Sequence, residues 1–174
     1  MSISRALTAG ETTLARQVFG DSINYAAVKI HDRAYVPFQP KNSGMTPRGE
    51  IYMRDCYSAD YSKDDLYQRG FFLHEMAHVW QFQNKILHPI AAAAELNLKH
   101  KFNYGAAYDF QLEKGKDLTR YGMEQQASII QQYFVWKHEG ADVSLHEDVL
   151  KNFLKDPAYA RQKKFPSPFR GKKF

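Results

Sequence analysis

Hydrophobic residues come in short runs, separated by polar and turn-forming residues, over the first third of the chain. Three strand-like runs stand out, at about residues 25–30, 35–38 and 50–53. Between the last two runs, Thr46-Pro47-Arg48-Gly49 places Pro and Gly where a tight turn needs them. This part of the chain is therefore predicted to form a small antiparallel sheet of about three strands.

The residues before and after these three runs have the hydrophobic spacing of helices. Helices are predicted at about residues 9–19, 66–85, 91–100, 120–139 and 144–155. Thr8 with Glu11 and Ser144 with Glu147 match the capping box, which satisfies free N–H groups at a helix start. Gly140 follows the fourth helix and is typical of a helix end.

The helix at residues 66–85 is apolar around nearly its whole circumference. The large apolar side chains that cover it are Phe71, Phe72, Leu73, Met76, Val79, Trp80 and Phe82. A helix with no polar face is buried on all sides. We therefore predict one α+β domain over residues 1–156, in which a small sheet packs against a buried central helix.

The composition is that of a globular protein. The 174 residues are 44% hydrophobic and 14% aromatic, and a chain of this length buries a core without disulfide bonds. Cys56 is the single cysteine, which excludes an intrachain disulfide and a cysteine-rich zinc module.

The net charge of +5 favours, at first, a protein that binds nucleic acid or a membrane surface. Residues 157–174 hold six basic and no acidic side chains, which leaves a charge of −1 on residues 1–156. The basic character thus belongs to a C-terminal tail, predicted to be solvated and flexible, and nucleic acid is not an expected partner.

No run approaches the roughly 20 apolar residues of a membrane-spanning helix. Residues 1–13 are polar and lack the apolar stretch of a secretory signal. We therefore expect a protein without a membrane span that is cytoplasmic when synthesised and is exported only by a route that reads no cleaved signal.

The central helix contains the motif H-E-x-x-H, as His74-Glu75-Met76-Ala77-His78. Histidines four residues apart project from the same helical face, so both imidazoles can reach one metal ion. Glu75 is placed to contact a water on that ion rather than the ion itself. The alternative is a pair of core histidines that hydrogen-bond to the backbone or to Glu75. A zinc site is the preferred interpretation, because burying such polar groups is costly unless something satisfies them.

A catalytic zinc site needs a third protein ligand. The extended pattern H-E-x-x-H-x-x-G-x-x-H is excluded, because Gln81 and Asn84 occupy its Gly and second His positions. The candidates that remain downstream are His88, Glu95, His100, Glu113, Glu124, His138, Glu139 and His146. Glu124 is preferred, because the small and weakly polar residues after it would pack closely against the first helix. Glu95 is second, at 17 residues from His78.

These residues resemble a known family. HEMAHVWQ at 74–81 and YGMEQQAS at 121–128 resemble bacterial zinc metallopeptidases of the gluzincin type. A closer similarity, over residues 7–134 and including MTPRGEIYM at 45–53, is to Vgr-related or Rhs-associated proteins linked to type VI secretion. The resemblance implies a zincin-like fold. It also implies a secretion-system carrier and an immunity protein as partners.

In the family pattern His74, His78 and Glu124 are the zinc ligands and Glu75 is the general base. Many gluzincins have Asp four residues after the ligand Glu, where it supports a His. Ser128 stands at that position in this sequence, so the sequence departs from the family pattern at the residue that supports the site.

The residues suggest the mechanism of a zinc-dependent peptidase, and the resemblance implies a bacterial effector that acts on a protein or a peptidoglycan peptide. Glu75 would take a proton from the attacking water and pass it to the leaving amine. Tyr108 and Tyr121 flank the approach to Glu124 and are candidates to stabilise the oxyanion. The strand at 50–53 could bind an extended peptide by strand addition, or it could be an ordinary strand. The alternative function is a non-catalytic, metal-binding adaptor, which a fourth ligand such as His100 or Cys56 would favour.

Overall fold

A computed structural model describes residues 3–86 and 110–166 of the chain. The strands are β1 (Ser4–Ala6), β2 (Lys29–His31), β3 (Ser43–Met45) and β4 (Ile51–Arg54). The α-helices are α1 (Ala9–Phe19), α2 (Leu66–Gln83), α3 (Met123–Glu139), α4 (Ser144–Val149) and α5 (Lys151–Lys155). The predicted α+β class is therefore confirmed, and the helix predicted at 91–100 lies outside the described residues.

The four strands form one mixed sheet in the order β1-β2-β4-β3. The outer strands β1 and β3 run antiparallel to their neighbours, whereas β2 and β4 are parallel. The prediction of a wholly antiparallel sheet of three strands was therefore wrong. After β2 the chain first forms the outer strand β3. It then turns back through Pro47–Gly49, and β4 fills the position between β2 and β3.

Residues 35–38 form bends and a turn rather than the predicted strand. The buried side chain of Gln39 replaces the strand hydrogen bonds there: it accepts from Tyr35 N and donates to Ser43 O and Tyr52 O. Pro37 also lacks the N–H that a ladder would use. The Tyr35 ring packs on Tyr52 of the sheet, whereas Phe38 is 93% exposed.

Helix α2 occupies the centre of the molecule, as its apolar circumference predicts. It packs against β4 and α3, and most of its residues from Phe72 to Gln81 are fully buried. A Cβ added at Gly70 would lie 2.7 Å from Cγ2 of Val135, so the absence of a side chain lets α2 and α3 approach closely. Among the described residues, no helix combines the length and the apolar composition that crossing a membrane requires.

The capping box at the start of α1 is confirmed and anchors the N-terminal part of the chain. The Thr8 hydroxyl accepts from Glu11 N, and the Glu11 carboxylate accepts from Thr8 N. Glu11 is fully buried and also accepts hydrogen bonds from the Arg5 guanidinium and from Tyr61 N. One carboxylate thus joins β1, α1 and the turn that precedes α2.

The C-terminal helices differ in detail from the prediction. A 3₁₀ turn at Leu118–Arg120 precedes α3, and the predicted helix at 144–155 is split at Leu150 into α4 and α5. The predicted capping box at Ser144 is wrong, because Val143 is the N-cap and Ser144 is the first helical residue. The Asp142 carboxylate accepts from Ser144 N instead.

The first ten residues of the basic tail, 157–166, pack against the C-terminal end of α2. The indole N–H of Trp80 donates to Pro157 O at 2.7 Å. The Arg161 guanidinium donates to Oδ1 of Asn84 at 2.7 Å and to Ser22 O at 3.0 Å. Asn84 is fully buried at the end of α2, so this part of the tail completes the hydrogen bonding of the central helix.

Replacing Arg161 with Ala is expected to lower the free energy of unfolding by about 1–3 kcal/mol, because a buried acceptor on Asn84 loses a charged donor. Lys164→Ala removes the same charge from an exposed residue of the same segment and is the matched control. Urea unfolding of the two variants compares them directly. Equal stabilities would show that Arg161 acts only as part of the tail's charge.

Candidate metal centre

Helices α2 and α3 bring His74, His78 and Glu124 together. One ligand atom from each residue lies within 4.8 Å of the other two. Oε2 of Glu124 is 3.3 Å from Nε2 of His74 and 3.3 Å from Nε2 of His78. Two imidazoles and one carboxylate are a donor set that zinc uses in catalytic sites, where the fourth position stays open. The residues present therefore fit a zinc ion.

The local sequence explains why these side chains converge. His74 and His78 are one helical turn apart on α2, and their ring centroids are 5.0 Å apart. Glu124 lies in the first turn of α3, where the helix dipole favours a negative charge. Ala127, one turn later on α3, is fully buried, and its small side chain fits a close packing of the two helices.

Without a metal ion, the three side chains form a buried ion-pair network. Burial lowers the pKa of His78, but the charge of Glu124 and a hydrogen bond to it outweigh burial and raise the pKa to about 9. Burial acts to raise the pKa of Glu124, but the charge of His78 and the two histidine contacts hold it well below its usual range. At neutral pH the metal-free site therefore holds an imidazolium and a carboxylate.

The affinity for zinc is expected to rise about tenfold per pH unit from pH 7 upward, because zinc must displace the proton on His78. The rise should level off near pH 9, where His78 loses this proton without the metal. Competition with a chelator of known affinity at several pH values measures this slope. An affinity independent of pH in this range would contradict the ion pair between His78 and Glu124.

Glu75 is buried beside the edge strand β3. It exposes only 3% of its surface, and the Thr46 hydroxyl donates to its Oε2 at 2.6 Å. A Cβ added at Gly44 would collide with this carboxylate, so only glycine leaves room for it there. Thr46 and Gly44 thus fix the position of Glu75, which follows the candidate ligand His74 in the chain. The sequence alone places Thr46 in a turn and gives no sign of the role of Gly44.

Two glutamines that the sequence alone does not indicate as functional support the candidate centre. Oε1 of Gln81 is 2.8 Å from Nδ1 of His78. The amide nitrogen of Gln81 contacts Met123 O at 2.9 Å and Oε1 of Gln126 at 3.1 Å. In the sequence, Gln81 serves only to exclude the extended zinc motif. Its position three residues after His78, on the same helical face, was the signal for this contact.

Of the two candidate oxyanion donors, the structure describes Tyr121 but not Tyr108. Tyr108 lies outside the described residues. Tyr121 is buried, its hydroxyl accepts from Glu113 N at 2.9 Å, and the Lys116 ammonium group lies 4.3 Å from its ring centroid. These contacts fix the orientation of Tyr121, and its catalytic role stays a prediction.

The other candidate ligands in the described part of the chain do not belong to the His74–His78–Glu124 group. His138 contacts Phe134 O and His146 contacts Gln132, each through one ring nitrogen. Cys56 lies beside Met53, with 3.9 Å between the two sulfur atoms. Three further candidates lie outside the described residues: His88, Glu95 and His100.

Comparisons with known proteins give this fold a family. No family model matches the chain. It is 42% identical over 154 residues to the type VI secretion system spike protein VgrG2b of Pseudomonas aeruginosa, and the match covers 86% of this chain but 15% of the spike protein. It is also similar to the solved effector domain of Pseudomonas aeruginosa VgrG2b, with a TM-score of 0.72 and 37% identity over 86% of this chain and 81% of that one. The chain therefore belongs to the family of the VgrG2b effector domain.

Proposed function

We propose that this chain is a zinc-dependent metallopeptidase of the zincin type and that it acts as a type VI secretion effector. The observation that carries the enzymatic part is the convergence of His74, His78 and Glu124 from two buried helices, next to the fixed carboxylate of Glu75. The motif alone supplies two ligands and a base. The packing of α2 on α3 supplies the third ligand.

In this proposal the side chains of the chain divide the work. When bound, zinc polarises the scissile carbonyl and makes a water molecule acidic enough to attack near neutral pH. His74, His78 and Glu124 hold the metal. Glu75 accepts the proton of the attacking water and passes it to the leaving amine, and Thr46 keeps its carboxylate in place. Because Glu75 is buried, little bulk water competes for that proton.

The proposed substrate strand pairs with β3. Of the two alternatives for the strand at 50–53, an ordinary strand is the one that fits, because β4 is hydrogen-bonded on both sides, to β2 and β3. β3 is the terminal strand of the described sheet, and Gly44 places it against Glu75. An extended peptide that adds to β3 would bring a peptide bond near this carboxylate.

The family relationship supports the effector part of the proposal. The relatives are a type VI secretion spike protein and its effector domain, and this chain matches the domain rather than the whole spike. We propose that the chain reaches its target with a spike-type carrier, without a cleaved signal. Its target is then a protein or a peptidoglycan peptide, and a cognate immunity protein is its second partner.

The alternative function, a metal-binding adaptor, would have a fourth protein ligand at the metal. The candidate group within the described residues offers three, and Cys56 is not one of them. Burial, followed by the charge of Glu75, also raises the pKa of the Cys56 thiol to about 11, which disfavours the thiolate that zinc binds. The donor set therefore favours the enzyme.

The protein purified under mild conditions is expected to contain about one zinc ion per chain, and Glu124→Ala is expected to contain less than about 0.2. Glu113→Ala, which removes an exposed carboxylate outside the ligand group, should keep the metal. Elemental analysis gives the zinc content. Cleavage of unfolded protein or of peptidoglycan peptides, with chelator and then added zinc, gives the activity. Wild-type protein without zinc would refute the proposal.

A further inference from the structure

A chain of amide hydrogen bonds runs from His78 on α2 to the start of α3. Its first member, Gln81, contacts Nδ1 of His78, Met123 O and Gln126. Its second member, Gln126, donates from its amide nitrogen to Tyr121 O at 2.8 Å. Both glutamines are almost fully buried, so water does not satisfy these groups in their place.

Two backbone carbonyls set the direction of every bond in this chain, because a carbonyl oxygen only accepts hydrogen bonds. Tyr121 O requires the NH₂ group of Gln126, which turns Oε1 of Gln126 toward Gln81. Met123 O and this Oε1 then take both hydrogens of the Gln81 amide. Oε1 of Gln81 is left facing His78, and it can only accept.

His78 must therefore carry a hydrogen on Nδ1, since this ring nitrogen faces an acceptor at 2.8 Å. In the neutral imidazole the lone pair is then on Nε2, the nitrogen that faces Glu124 and the candidate metal position. The hydrogen-bond chain thus selects the form of His78 that can bind a metal through Nε2.

We propose that Gln81 is a positioning residue of the metal centre. It fixes the Nδ1–H tautomer of His78, and through Met123 O and Gln126 it holds this imidazole in register with the turn of α3 that carries Glu124. The inference rests on the metal-binding part of the proposed function and not on peptidase activity. It also identifies what supports a ligand histidine in a chain that has Ser128 where related peptidases place an aspartate.

The variant Gln81→Glu distinguishes two roles for position 81, because a residue that only accepts a hydrogen bond and a residue that must also donate predict opposite results. If position 81 served only to accept from Nδ1–H, a carboxylate would do so better and would strengthen zinc binding. In the proposed arrangement a carboxylate would face two acceptors, Met123 O and Oε1 of Gln126, with no hydrogen to offer. Gln81→Glu should therefore weaken zinc binding.

The test compares Gln81→Glu and Gln81→Met with wild type, using zinc itself as the probe. Chelator competition should show an affinity for zinc roughly 10- to 100-fold lower in both variants. Gln68→Glu adds the same charge to an exposed position of α2 and should leave the affinity unchanged. An affinity of Gln81→Glu equal to or above that of wild type would overturn the proposal.

A second readout reports on the tautomer and does not depend on affinity. In zinc-loaded, ¹⁵N-labelled protein, the proton on Nδ1 of His78 should give a slowly exchanging resonance, which Gln81→Met exposes to exchange. A resonance unchanged in this variant would overturn the role of Gln81. Zinc binding without hydrolysis would refute the peptidase and leave this inference intact, whereas a wild-type chain that binds no zinc would refute both.

Discussion

Replacing Glu75 with Gln is expected to lower the rate of peptide hydrolysis by roughly 10²- to 10⁴-fold while the zinc content stays unchanged. The amide cannot accept the proton of the attacking water. It has nearly the same shape as the carboxylate, however, so it fits beside Gly44 and its oxygen can still accept from the Thr46 hydroxyl. Glu75 does not belong to the ligand group, so the metal should remain bound.

The matched control for this variant is Glu139→Gln, which makes the same chemical change on an exposed residue at the end of α3. Zinc content, unfolding midpoint and hydrolysis are measured on the same preparations. A zinc-loaded Glu75→Gln protein with wild-type activity would refute the general-base role. Loss of zinc from this variant would instead show that Glu75 is a metal ligand.

The sequence predicts those parts of the candidate site that depend on neighbours within one helix. His74 and His78 share a face because of helical geometry alone, and the apolar circumference of α2 predicts that this face is buried. Glu124 is harder to predict from the sequence, since its contact with His74 spans 50 residues. It could be selected because the residues that follow it are small enough for the two helices to pack closely.

Contacts between distant elements were not predictable in this way. β3 contains Gly44 and no strongly strand-forming residue, so its sequence does not indicate a strand. It forms because the edge of β4 is free to pair with it and because the side chain of Gln39 donates a hydrogen bond to Ser43 O at its start. Gln81 and Gln126 resemble ordinary polar helix residues until the packing of α2 on α3 buries them together.

The basic tail shows the same limit. Its charge and prolines favour a solvated segment, yet residues 157–166 supply acceptors and donors to the end of α2. The composition of the tail contains no sign of this, because the partners Trp80 and Asn84 lie far away in the sequence. Removing residues 157–174 to test nucleic-acid binding would therefore also disturb the helix that carries the candidate metal site.

The second large effect is expected on stability, at Glu11, a residue to which no catalytic role is assigned. Its two carboxylate oxygens accept from Arg5 twice, at 2.7 and 2.8 Å, and from the backbone N–H groups of Thr8 and Tyr61. Glu11→Gln keeps the size of the side chain but replaces one acceptor with a donor facing other donors. It also leaves a largely buried guanidinium without its carboxylate partner. We expect the free energy of unfolding to fall by about 3–5 kcal/mol.

Urea unfolding with a chelator present measures this loss without the contribution of bound zinc. Asp21→Asn provides the contrast, because its ion pair with Arg16 is exposed on both sides and should have no measurable effect. In the double variant Arg5→Met/Glu11→Gln the cost should be smaller than the sum of the single changes, since no unpaired charge remains. Additive costs would mean that Glu11 acts through its backbone contacts alone. Its hydrogen bonds to the N–H groups of Thr8 and Tyr61, rather than its charge, would then hold α1 and the turn before α2 together.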